Sequence, residues 1–188
     1  DVQALDPLRV TDLESTEVGS LMFEGLLRWK AGTTDITEGL ATQWRVSGDG
    51  TVWTFELRPG VTLHDGTLLD ADAVVFSFER VLKPASNMKV YAQGIKETKR
   101  IDDFTVEIIT DGPNPVLLRG LVDVKVMSRA WSTKNNVVNP QNYAQKEESF
   151  AARNTNGTGQ FMLKSREADV KTVLVANPNW WDKADGNI

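Results

Sequence analysis

Ser47-Gly48-Asp49-Gly50-Thr51-Val52-Trp53-Thr54-Phe55-Glu56-Leu57-Arg58-Pro59-Gly60 is the stretch that decides the fold class. Trp53, Phe55 and Leu57 alternate with Thr54, Glu56 and Arg58. That is the period of a strand with one face buried and the other wet. Gln43 to Val46 forms a second short run upstream, and Asp49-Gly50 between them supplies the positive-φ position of a tight hairpin. Pro59-Gly60 ends it. A half-apolar hairpin needs a cover, and the next periodic segment is helical. Asp70 is placed as its N-cap, and Asp72 falls in the first turn. Val74, Phe78, Val81 and Leu82 recur at i, i+4, i+7 and i+8. Lys83-Pro84 stops this helix. A second hairpin follows, Ile95 to Arg100 and Phe104 to Thr110 around Asp102-Asp103.

Outward from this centre the signals are shorter. Gln3 to Pro7 reads as an extended piece ending in a turn, because Pro7 keeps Asp6 out of helical angles. Val18, Leu21, Met22 and Gly25 predict a helix over Glu14 to Leu27, with Gly25 permitting close packing. Leu26 to Trp29 predicts a short strand, and Asn114 to Leu121 a short helix with Pro115 in its first turn. Val122 to Met127 alternates weakly, and Ser128 to Asn156 is polar without a clear period. Asn154 to Gly159 reads as a tight glycine-bearing turn. Phe161 to Ser165 and Val170 to Ala176 read as paired strands stopped by Asn177-Pro178-Asn179. The sum is a mixed, hairpin-rich α/β chain.

The chain has 188 residues, 40% hydrophobic and 25% charged, enough for a real core. A net charge of −5 argues against a phosphate-neutralising nucleic-acid binder. No apolar run exceeds four residues, so no bilayer span is expected, and Asp1-Val2-Gln3 carries no signal-peptide pattern. Cys is absent and His64 is the single His, so no disulfide, Cys-based metal site or His-based metal site is expected.

Three features invite a chemical reading. His64-Asp65-Gly66 has the composition of a base with an orienting carboxylate, which would make an enzyme, but neighbours in a turn usually point apart. Gly157-Thr158-Gly159 lacks the spacing and Lys of a phosphate loop. Trp180-Trp181, placed after a strand stop, is the expected exposed aromatic pair, and would suit a carbohydrate-binding domain.

The order of motifs then says more than any one of them. Leu5-Asp6-Pro7, Phe23-Glu24-Gly25-Leu26-Leu27, Gly39 to Trp44, Ser47 to Phe55, Leu57 to Thr67, Asp72 to Arg80, Gly157 to Phe161 and Asn177 to Trp181 run through nearly the whole chain. In that order and spacing they resemble the N-terminal portion of the extracytoplasmic solute-binding proteins of ABC importers, the peptide/nickel/oligopeptide-binding family (family 5). Gln160 stands where the family usually has Pro, and Ala73 where it often has an acid that would complete a capping box.

The resemblance implies part of a type II periplasmic-binding-protein-like first lobe with an inserted α+β subdomain. Residues 1–28 and 150–188 would be pieces of the first lobe's main sheet and 29–149 the insertion, with the second lobe outside this chain. It implies capture of a peptide or similar small solute, delivery to ABC permease subunits in the membrane, no cofactor, no catalysis and a periplasmic or membrane-anchored extracytoplasmic place. The family's first-lobe contacts fall here on Thr11, Asp12 and Leu13, where the other reading is a surface loop entering a helix. A second contact falls on Tyr91. A sheet edge left unpaired would invite self-association.

Overall fold

Asp70 accepts a hydrogen bond from the Ala73 amide at 3.1 Å and so starts α2, Ala71–Val81. In the computed structural model, which describes residues 2–9, 12–142 and 148–182, this helix is sunk into the molecule. Val74, Phe78 and Val81 are fully buried, as their spacing predicts, and Asp72 and Glu79 keep the wet side, both paired with Arg129. Beside α2 lies a four-stranded antiparallel sheet built from the two predicted hairpins. β3 (Ala41–Val46) and β4 (Val52–Leu57) form one, and β5 (Ile95–Arg100) and β6 (Thr105–Thr110) the other, in the order β3-β4-β6-β5. Phe55 stands opposite Val106 and Trp53 opposite Ile108, so one face carries a continuous apolar row. Gly50 takes φ +73° in the hairpin turn, the conformation that Asp49-Gly50 predicts.

Two small antiparallel pairs flank this unit. β1 (Leu27–Trp29) pairs with β2 (Ile36–Glu38), a strand with too few residues to show a period in the sequence. β7 (Phe161–Glu167) pairs with β8 (Lys171–Ala176), as predicted. One hydrophobic core runs from Leu5 through Phe55 and Phe78 to Met127, with Leu163 and Leu174 at its margin. Among the described residues no helix is long and apolar enough to cross a membrane.

Three segments depart from the sequence reading. α1 spans Leu13–Met22 and not Glu14 to Leu27, because Phe23 turns extended at φ −124°, ψ 143°. The chain then dives inward. The Val126 amide donates to the Glu24 carbonyl, and a Cβ on Gly25 would stand 2.9 Å from the Leu121 carbonyl oxygen. The seven-residue step from Val18 to Gly25 therefore marks backbone contact, not helix. Gly157 and Gly159 form no positive-φ turn. They let an extended segment lie on the end of α1, where a Cβ on Gly157 would meet the Met22 carbonyl oxygen at 2.0 Å. Asn114 to Leu121 is helical only over α3, Leu117–Leu121. The polar stretch after it holds α4, Arg129–Lys134, capped by Ser128, and a 3-10 turn at Phe150–Ala152.

Two polar residues on the buried side of α2 tie distant segments to it. The Ser77 hydroxyl accepts from the Met127 amide at 2.8 Å and donates to the Ala73 carbonyl at 2.8 Å. Arg80, 0% exposed, grips Asp6, 1% exposed, through both terminal nitrogens at 2.8 and 2.5 Å. Its Nε donates to the Val137 carbonyl at 3.1 Å, and Asp6 also accepts from the Leu8 amide. Removing one member of such a pair strands a buried charge, at about 3–5 kcal/mol. Arg80→Met is therefore expected to lower the unfolding free energy by about that amount in urea titration at neutral pH. A loss below about 1 kcal/mol would show the pair to be dispensable.

Candidate functional site

The exposed side of α1 forms one wall of a polar face. Asp12 is the N-cap, its carboxylate accepting from the Ser15 amide at 2.9 Å, and Leu13 beside it is 69% exposed. Further along, Thr16 and Ser20 share a hollow with Asp123 and Lys125, just past the end of α3. Val124 and Val126 on either side of Lys125 are buried, and Lys125 itself forms an antiparallel bridge with Gly25. Lys125 lines a cleft of about 240 Å³ with Ser20, Phe23, Glu24, Arg28 and Trp180. It also borders a smaller hollow of about 20 Å³ under Pro7, Thr16 and Met88. A larger groove of about 410 Å³ lies between α1 and the β7–β8 turn. Its acidic members Glu14, Glu17, Glu167 and Asp169 are exposed, and it holds no comparable buried group.

Met88 belongs to the 3-10 segment Asn87–Ala92, which carries Tyr91. The Ser86 hydroxyl ties this segment to the Leu8 carbonyl at 2.8 Å. The chain after Asp6-Pro7 and the segment bearing Tyr91 are thus held together, although no described hydrogen bond joins Tyr91 to Asp12 or Leu13. Tyr91 is 40% exposed, and its carbonyl oxygen lies where a Cβ on Gly120 would be, at 2.2 Å, so α3 fixes its backbone closely. Thr11 lies outside the described residues.

Behind the cleft sits Glu24, just past the end of α1. Its carboxylate accepts from Trp180 Nε1 at 3.2 Å, Trp181 Nε1 at 2.9 Å and the Thr158 hydroxyl at 2.8 Å. Burial raises its pKa, and these three hydrogen bonds and the charge of Arg28 oppose the rise. Trp180 is only 8% exposed, and Trp181 lies under the Arg58 guanidinium at 4.0 Å. The expectation of an exposed Trp pair is thereby overturned. Both indole N–H groups are spent on Glu24, so these rings offer no sugar-stacking platform, and the carbohydrate reading has no support. No spacing rule links Glu24 to Trp180 across the chain, so the sequence alone could not show their pairing.

His64 is equally occupied. Its Nδ1 accepts from the Gly157 amide at 3.3 Å and its Nε2 lies 3.1 Å from the Gly159 carbonyl oxygen, to which it donates in the neutral tautomer. Asp65 is locked to Asn156 by two hydrogen bonds, of 3.0 and 2.8 Å. The pair that resembles a base and its orienting acid is a clasp that seats the 156–159 segment.

Known proteins resemble this chain in sequence and in fold. The family described as "Bacterial extracellular solute-binding proteins, family 5 Middle" matches residues 35–188. The chain belongs to that family. It is 33% identical over 187 residues to the "Probable D,D-dipeptide-binding periplasmic protein DdpA" of Escherichia coli, covering 96% of this chain and 35% of that protein. It is 31% identical to the "Dipeptide-binding protein" of the same organism, over 85% of this chain and 32% of the relative. The chain therefore spans about a third of the length of these relatives. Its fold superposes on DppA from Helicobacter pylori in complex with peptide STSA with a TM-score of 0.81, at 30% identity, covering 95% of this chain and 38% of that one. On NikZ from Campylobacter jejuni in complex with Ni(L-His) the TM-score is 0.83 at 25% identity, with 96% and 34% covered. The mixed α/β fold is that of part of a family 5 binding protein, as the ordered motifs imply.

The clasp makes a pH prediction. Burial lowers the His64 pKa below its ordinary 6.5, with the Gly159 carbonyl and Asp65 opposing. Near that pH the unfolded chain then binds a proton that the folded chain does not, so stability rises with pH. The His64 contribution is present above 6.5 and lost as pH falls through and below it, when protonated Nδ1 can no longer accept from Gly157. His64→Asn is expected to flatten the slope of unfolding free energy between slightly acid and neutral pH. An unchanged slope in denaturant titrations would show that His64 is not the titrating group.

Proposed function

We propose that this chain is part of the first lobe of a solute-capture protein serving an ABC importer. In the whole protein a peptide or similar small solute would lie between this lobe and a second one. Hinge closure would bury it, and the closed shape would be presented to the membrane permease. The observation that carries the reading is how the family's ordered residues are spent. Asp6 and Arg80, Glu24 with Trp180 and Trp181, and His64 with Gly157 and Gly159 all hold segments together. Both nitrogens of His64 are engaged, so His64 is not a poised base, which favours capture over catalysis. A peptide is the favoured solute, since the relatives at 33% and 31% identity are named for dipeptides. The names of such relatives also favour a periplasmic place.

In this reading Thr11, Asp12, Leu13 and Tyr91 face the solute. The exposure of Leu13 and Tyr91 and the tether between their segments support that role. Residues 1–28 and 150–188 would belong to the lobe's main sheet and 29–149 to its inserted subdomain. The outer edges of β7 and β8 would be completed by the rest of the same protein, or by self-association when this stretch is produced alone.

The test is native mass spectrometry of the full-length gene product purified from its own host, followed by denaturation and identification of what is released. Thermal-shift screening with dipeptides, sugars and metal chelates then follows. A released or stabilising peptide is expected. A solute at a hundredfold excess over its Kd adds about 2.7 kcal/mol to folding. No released solute together with no stabilising one would overturn the capture reading.

A further inference from the structure

Lys125 is a cation on the candidate face whose donors the described contacts do not use up. Its ammonium carries three donors. One goes to the Val122 carbonyl at 3.1 Å, and among the described residues no carboxylate forms an ion pair with it. Glu24 is committed to two indoles and a hydroxyl, and the charge of Asp123 acts on Lys125 without an ion pair between them. Arg28, the other cation of the 240 Å³ cleft, is held by Asp182 at 2.6 Å. The Lys125 backbone is fixed as well, since it pairs antiparallel with Gly25 between two buried valines. A rigidly mounted cation with two unspent donors thus looks into a cleft walled by Phe23 and Trp180, with the Ser20 hydroxyl at its rim.

Resting on the capture reading above, we propose that Lys125 is the anchor for a carboxylate of the captured solute, in a peptide its C-terminus. A carboxylate accepts both remaining donors in a charge-assisted pair, and the partly dry cleft strengthens that pair relative to water. An amide or ester of the same shape leaves the ammonium unpaired, so the site discriminates acid from amide. Proton linkage follows independently. Burial lowers the Lys125 pKa, against the opposing pull of Asp123 and Glu24. A carboxylate brought beside it raises that pKa again, so binding takes up protons where the free amine is partly deprotonated.

The experiment uses the full-length protein and acetate as the probe, with acetamide as its neutral counterpart. Trace acylation of lysines, read by peptide mass spectrometry across pH, is expected to show Lys125 titrating below the ordinary lysine value of 10.5. Acetate should slow Lys125 labelling several-fold and acetamide should not. In thermal-shift titrations alanyl-alanine should bind at least about tenfold more tightly than its C-terminal amide, which is about 1.4 kcal/mol. Lys125→Met should abolish that preference, and Lys125→Arg should keep most of it. If acetate leaves Lys125 labelling unchanged, the anchor is overturned. It is overturned too if Lys125→Met keeps the acid-over-amide preference, while capture itself stands. If no solute binds but acetate still protects Lys125, the anion site stands and the capture reading falls.

Discussion

The bidentate pair between Asp6 and Arg80 is the constraint on which the rest of the molecule depends. Asp6 lies in the first extended segment and Arg80 near the end of α2, and both are buried. A buried ion pair contributes little net energy over an apolar pair of the same volume, but it is costly to break. Its effect is therefore to fix position. The extended start of the chain cannot shift along α2 without losing both hydrogen bonds. The Val137 carbonyl, bound by the same guanidinium, is fixed with it. From this point the Leu8 carbonyl meets Ser86, which places the segment that carries Tyr91.

A second junction is built on Glu24 and His64. The segment 156–159 is extended and has no strand partner, so its backbone groups need partners from elsewhere. His64 and its backbone amide satisfy Gly157, while the amide of Gly159 reaches the Met22 carbonyl. Thr158 turns its hydroxyl to Glu24, and Glu24 gathers Trp180 and Trp181 from beyond β8. The two glycines are required because backbone at the end of α1 occupies the place of a side chain, the Met22 carbonyl at Gly157 and the Leu21 carbonyl at Gly159. In this way the end of α1, the turn after β4 and the end of β8 become one rigid unit beneath the cleft.

How much of this the sequence showed follows from the range of each interaction. The hairpins around Asp49-Gly50 and Asp102-Asp103, the cap at Asp70 and the stripe on α2 are local patterns of period 2 or 3.6, and all appear where the residues predict them. The end of α1 was misplaced because Gly25 continues the helical period while its real partner, the carbonyl of Leu121, lies far along the chain. Trp180 and Trp181 read as exposed for the same reason, since their acceptor comes from before β1. The family landmarks gave the identity of the fold, but not that Asp6 and Arg80, or Glu24 and the tryptophans, are pairs. On the candidate face, Asp12, Leu13 and Tyr91 came from the resemblance alone. Lys125 stood out in neither reading, because a lone Lys in a weak alternation carries no signal until its surroundings are known.

Glu24 and Lys125 show how one small region separates structure from binding. Both are charged groups drawn out of water, and burial pushes both toward their neutral forms. Glu24 accepts three hydrogen bonds from the chain itself, on both carboxylate oxygens, so its cost is met internally and its geometry is closed. Lys125 has one donor filled and two open. A closed polar group holds a fold in place, whereas an open one retains free energy that only an added partner can release. Because Gly25 links the two residues through the backbone bridge to Lys125, the rigidity of the first fixes the aim of the second. A capture lobe needs both properties: a frame that does not yield when a solute arrives, and within it a charge not yet satisfied.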